Sequence, residues 1–127
     1  MKRIAFIFTM LCLVAGMVQA QDEKGPVISA EETTFDFGTI KEKEGNVVHV
    51  FKIKNTGDKP LMITRVIASC GCTSPQWPQE PIAPNGTGEI KVTFNPVGRP
   101  GPFAKPVNVY SNGKAGSFSL TIRGTVE

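Results

Sequence analysis

Two sulfurs two residues apart, in Cys70-Gly71-Cys72, form the most reactive grouping in this 127-residue chain. On an extended strand such residues point the same way, with Cα atoms about 6.6 Å apart at ~3.3 Å per residue. A disulfide accepts roughly 4.4–6.8 Å between Cα atoms, so a straight strand stands at the limit. The sequence therefore predicts that Gly71 takes a positive φ to shorten the span. A bond closed on a strand is expected to be strained, and strained bonds are the more reducible ones. As a staple the pair contributes little: closing a three-residue loop is worth roughly 1.6 kcal/mol, against about 4 for a forty-residue loop. Three readings stay open. The pair can be two small, partly buried side chains without chemical duty, a thiol-redox or thiol-exchange pair, or a soft-metal site for Cu(I) or Zn.

The metal reading needs further ligands. His49 is the only histidine, and its parity places it with Phe51 and Ile53. If the Asn55–Pro60 turn lays its flanking strands side by side, His49 falls nearest Val66. Cys70 is then four residues further on, roughly 13 Å at ~3.3 Å per residue, far outside a coordination sphere with bonds of about 2.0–2.3 Å. His49 is expected instead as a hydrogen-bonded histidine at the core margin. No second CxxC and no HxxxH accompanies the cysteines, so Cys70 and Cys72 are weak metal candidates and no metal or cofactor is assigned.

Catalysis by other routes lacks its parts. A triad needs an imidazole beside a serine, and His49 sits mid-strand on an apolar face. Asp36, between Phe35 and Phe37, reads as facing solvent or capping a turn. The carboxylates Glu31, Glu32, Glu42 and Glu44 lie beside turns and read as solvated surface. No catalytic residue is assigned, and the chain is expected not to be an enzyme. Trp77 has two readings, a lid over one end of the fold or an exposed anchor for a partner.

The elements that would position these residues are strands. Apolar residues recur with period two: Phe35 and Phe37; Val47, His49, Phe51 and Ile53; Ile90, Val92 and Phe94; Phe118, Leu120 and Ile122. Asn55-Thr56-Gly57-Asp58-Lys59-Pro60, Asn85-Gly86 and Ser111-Asn112-Gly113 supply turn chemistry. The phase slips near Thr64-Arg65, which predicts a bulge, and Pro106 inside a strand must sit at an edge or a bulge. Val66, Ala68, Cys70 and Cys72 line up on one face, and Thr73–Pro84 reads as a Pro-rich connection. With 13 Gly and 10 Pro and no helix-period stretch, the predicted fold is all-β. It is an antiparallel immunoglobulin-like β-sandwich of about seven strands.

Met1-Lys2-Arg3, the apolar run Ile4–Val18 and the small residues of Val18-Gln19-Ala20 form a signal-peptide pattern with cleavage before Gln21. Leu11 ahead of Cys12 fills the place where a lipidation box needs a small residue. The predicted organisation is a signal peptide at 1–20, an N-terminal lead at 21–30 and one sandwich domain at 31–127. Export to the periplasm or cell envelope of a Gram-negative bacterium follows, with no membrane span after cleavage and with Cys70 and Cys72 free to pair in an oxidising compartment. The 14 Lys and Arg include Lys2 and Arg3, leaving 12 against 11 Asp and Glu. That balance gives no electrostatic case for nucleic acid or anionic lipid.

Phe35-Asp36-Phe37-Gly38-Thr39-Ile40, His49-Val50-Phe51-Lys52-Ile53-Lys54-Asn55-Thr56-Gly57 with Pro60-Leu61, and Ser69-Cys70-Gly71-Cys72-Thr73 occur in order, followed by Trp77-Pro78, Pro81-Ile82 and Tyr110-Ser111-Asn112. The set resembles the bacterial domain-of-unknown-function family 1573, found in exported proteins and similar in fold to the hydin-like and major-sperm-protein-like immunoglobulin sandwiches. The resemblance spans nearly all of the mature chain. It implies fold and export and no activity.

The expected function is that of a monomeric, non-enzymatic, exported module binding an unidentified envelope protein or component. Its best patch is expected to join the Thr73–Pro84 segment, with Trp77, to the Cys70–Cys72 strand end. The rival is a thiol-redox or Cu/Zn-binding protein using Cys70-Gly71-Cys72.

Overall fold

The computed structural model describes residues 25–127. The expected signal at 1–20, with Cys12, and the first four residues of the lead lie outside the described residues. Eight strands follow one another: β1 (Ile28–Ala30), β2 (Thr34–Ile40), β3 (Val47–Asn55), β4 (Ile63–Ala68), β5 (Thr73–Gln76), β6 (Thr87–Phe94), β7 (Gly101–Ser111) and β8 (Ser117–Val126). They form two four-stranded sheets, ordered β1-β3-β6-β5 and β2-β8-β7-β4. This is the strand order of a constant-type immunoglobulin sandwich with its first strand divided between the sheets. The division accounts for the eighth strand, and it makes one pairing, β2 with β8, parallel. The sheet also starts earlier than residue 31: Ile28–Ala30 pairs with Ile53–Asn55, so the end of the expected lead is an edge strand.

Alternation builds the core. Phe51, Ile53, Ile90, Val92 and Phe94 from one sheet face Val107, Val109, Leu120 and Ile122 from the other, all essentially buried. Full burial of such side chains is worth ~1.5–3 kcal/mol each, so this interface carries the fold. The register of β4 against β7 shifts between Ile63 and Arg65, which is the slip that the sequence places at Thr64-Arg65. Pro106 lies in β7, an inner strand, yet β4 has already stopped pairing at Ala68↔Val107. The Pro106 carbonyl accepts from Ser69 N–H at the end of β4. On a strand a residue's nitrogen shares its carbonyl's side, so the missing N–H falls where β7 has become an edge.

Two expectations about connections fail. The Asn55–Pro60 turn does not make a hairpin: it carries the chain from β3 in one sheet to β4 in the other, and His49 lies opposite Val92 of β6, not Val66. Its cause is Asn55, which is fully buried. Asn55 Oδ1 accepts from Val27 N–H and Gly57 N–H, and its Nδ2 donates to the carbonyls of Lys59 and Ile82. Those four bonds pull the chain over the end of the sandwich. The second failure is Thr73–Pro84, whose first four residues are a strand, β5, paired with β6 from Thr73↔Phe94 to Gln76↔Lys91.

Candidate functional site

The cysteines sit in the turn from β4 to β5, another crossover between the sheets, and not on a strand. Cys70 O accepts from Thr73 N–H at 3.3 Å, closing a four-residue turn. That turn brings the Cys70 and Cys72 Cα atoms to 5.3 Å, where the two residues are joined in a disulfide. Gly71 does not take a positive φ, and a Cβ added there would meet nothing within 4 Å. The turn as a whole shortens the span, so the left-handed glycine expected from a strand geometry is not required. Cys72 is 3% exposed and belongs to the core, whereas Cys70 is half-buried at its margin. Cys72 N–H donates to Cys70 Sγ at 3.2 Å. Cys72 Sγ lies 3.6 Å from Oγ1 of Thr73, itself a buried residue. Cys72 O accepts from Asn95 N–H, tying the turn to the end of β6.

His49 is remote from this turn. It is two strands across from β5, roughly 10 Å at ~4.8 Å per strand spacing, so the separation from the cysteines holds by a different route from the one the sequence suggested. Its Nε2 bonds Glu32 Oε1 at 2.7 Å, and its ring stacks on Phe35 with centroids 3.7 Å apart and meets Phe51 edge-on. Glu32 is therefore a structural acceptor as well as a surface carboxylate. Glu42 is another, its Oε2 receiving Gly98 N–H. Asp36 Oδ1 accepts from Gly38 N–H, which caps a local turn. Among the described residues, no three His, Cys, Asp or Glu side chains gather as a metal ion would require.

A third feature was not anticipated. β1 stops at Ala30, opposite Ile53, while β3 runs back to Val47. Thr56 N–H donates toward β1, to Val27 O, and Asn55 N–H toward β6, to Gly86 O. The alternation of β3 therefore turns the N–H and C=O of Val48 and Val50 to the side that β1 has vacated. The two residues are 47% and 38% exposed. The adjoining cleft, about 620 Å³, is lined by Ala30, Glu31, Glu32, Val50 and Lys52 among others. The sequence signal was present in the apolar even-numbered pair Val48 and Val50, which interrupts the polar outer face of Lys52 and Lys54. Trp77, just beyond β5, is half-buried against the core and also walls a shallow concavity with Pro78, Glu89 and Lys91.

The sequence model of the family described as "Protein of unknown function (DUF1573)" matches residues 28–126. No curated protein matches the chain. Among solved structures, a protein of unknown function from Porphyromonas gingivalis is similar, with a TM-score of 0.70 and 16% identity over 84% of this chain. This chain spans half of that protein's length. The ASH/PapD-like domain 7 of human CEP192 superposes with a TM-score of 0.66 and 12% identity, covering 90% of this chain and 95% of that one. The Pseudomonas aeruginosa CupB2 chaperone follows with 0.52 and 15%, covering 78% and 55%. At these identities the likeness is one of fold: a PapD-like immunoglobulin sandwich. Among the described residues, no helix is long and apolar enough to cross a membrane.

Proposed function

This chain belongs to the DUF1573 family, and from that premise we propose that it is an exported, non-catalytic immunoglobulin-like module that binds another protein of the cell envelope. The signal-like pattern of Met1–Ala20 supports export to the periplasm or envelope. The balance of charge in the remaining residues argues against nucleic acid as the partner.

The observation that carries the reading is the vacated side of β3. Val48 and Val50 offer main-chain donors and acceptors along a strand edge, with two exposed apolar side chains beside them. An extended segment of a partner can add there as a further strand, gaining main-chain hydrogen bonds for affinity and side-chain contacts for specificity. The Trp77 concavity is the second recognition surface, on the side of the same sheet where β5 is the edge.

Capture from envelope extract on the immobilised chain tests the reading. A specific partner retained by the wild-type chain and lost with the double variant Val48→Asp, Val50→Asp is the expected result. Loss with Trp77→Ala and not with the valine variant would move the contact to the Trp77 rim. Repeated capture of no partner, together with turnover of an envelope substrate, would overturn the proposal.

A further inference from the structure

The cysteine turn carries an inference independent of the binding reading. We infer that the Cys70–Cys72 disulfide is a thiol-exchange site of fixed polarity, entered by an external thiol at Cys70 and released at Cys72. Burial sets the entry point. Cys72 is 3% exposed and lies in the core, whereas Cys70 is half-buried at the margin of the turn, so an incoming sulfur reaches Cys70 Sγ. Thr73 assists the exit, while burial decides which sulfur leaves, since Cys70 Sγ has a donor of its own in Cys72 N–H. Its buried hydroxyl stands 3.6 Å from Cys72 Sγ. A neutral disulfide sulfur is a weak acceptor, but a thiolate at the same place turns that contact into a charge-assisted hydrogen bond. The hydroxyl thus favours the sulfur that leaves, and a better-stabilised leaving thiolate departs faster.

The co-reactant is an external dithiol. Its thiolate bonds to Cys70 Sγ as the bond between Cys70 and Cys72 breaks, and the electron pair of that bond stays on Cys72 Sγ. The second sulfur of the dithiol then attacks the external sulfur and releases Cys70 Sγ as a thiolate. The Cys72 N–H that donates to Cys70 Sγ at 3.2 Å supports this second departure. The dithiol ends as a disulfide, its two thiol protons pass to Cys70 and Cys72, and two electrons have moved from the dithiol to the protein.

Reduced glutathione is the probe: as a monothiol it lacks the intramolecular second step, so early acid quenching traps the mixed disulfide before a second glutathione resolves it. The oxidised full chain is exposed to it, quenched in acid and mapped by tandem mass spectrometry, beside an oxidised peptide of Ser69–Thr73 sequence. The protein should carry the adduct on Cys70 in about tenfold excess over Cys72, while the peptide shows no such preference. Adduct on Cys72, equal adducts, or none under conditions that open the peptide would each overturn the inference. The role of Thr73 has its own readout, the ultraviolet absorbance of the Cys72 thiolate against pH in a Cys12→Ser, Cys70→Ser chain. Thr73→Val should raise the titration midpoint and Thr73→Ser should restore it; an unchanged midpoint in Thr73→Val contradicts that role. If the Cys70→Ser chain does not fold, the reduced Cys12→Ser chain replaces it, with the shift read on the summed titration of Cys70 and Cys72.

Discussion

Two of the five passages between the sheets, from β3 to β4 and from β4 to β5, are held by different means. The crossover from β3 to β4 is organised by Asn55, fully buried, with four side-chain hydrogen bonds to Val27, Gly57, Lys59 and Ile82. Its main chain is paired as well, to Gly86 and Asn85. The crossover from β4 to β5 is closed by a covalent bond spanning three residues, one of them an unconstrained glycine. Strength of the individual bond misleads here. A bridge across three residues removes little entropy from the unfolded chain, roughly 1.6 kcal/mol. Each buried group that loses its hydrogen-bond partner costs about 1–3 kcal/mol. Of these two turns the amide turn therefore contributes more to a fold that the core carries, and the sulfur turn can be opened and closed while the sandwich persists.

Substitutions at the two turns can break or sharpen that contrast. Asn55→Ala strands the N–H groups of Val27 and Gly57 and the Lys59 carbonyl, while the Ile82 carbonyl keeps Leu61 N–H, and should cost about 3–5 kcal/mol in urea unfolding. A loss below ~1 kcal/mol would put the weight elsewhere. At Gly57, in the same turn, a Cβ would run into the carbonyl oxygen of Gly25 and stand 2.7 Å from Val27 N, all main chain. Gly57→Ala should therefore cost about 2 kcal/mol and loosen the attachment of the segment before β1, visible as faster hydrogen exchange at Val27. Gly71→Ala is the matched experiment at the sulfur turn, where a methyl meets open space and the backbone needs no positive φ. It should change stability by no more than about 0.5 kcal/mol. The Val48→Asp, Val50→Asp variant should likewise stay within ~1 kcal/mol while removing partner capture, since both side chains face solvent.

Much of the sandwich was legible from parity. The runs through Phe51 and Ile53, Ile90 to Phe94, and Leu120 and Ile122 face inward as their alternation requires, and the slip at Thr64-Arg65 is a register shift. Parity also held a clue to Asn55, two residues beyond Ile53 and so inward-facing, but its turn chemistry reads equally well as a hairpin. Turn residues do not say whether the next strand joins the same sheet. β5 was hidden because Thr73-Ser74-Pro75-Gln76 presents Thr and Pro, not aliphatic residues, on its inward side, and only the neighbouring β6 makes it a strand. Gly71 was misread for the same reason: its predicted φ assumed a strand where the chain is turning between sheets. The vacated edge of β3 depends on where β1 stops, and three residues of edge strand leave almost no periodicity to read.

Comparing urea unfolding of the oxidised chain with that of the chain reduced by a dithiol tests the contrast most directly. The account predicts a single cooperative transition in both, with the reduced chain less stable by about 1.6 kcal/mol and the denaturant dependence unchanged. Loss of the cooperative transition on reduction would contradict it, because the sulfur turn would then be what holds the two sheets together.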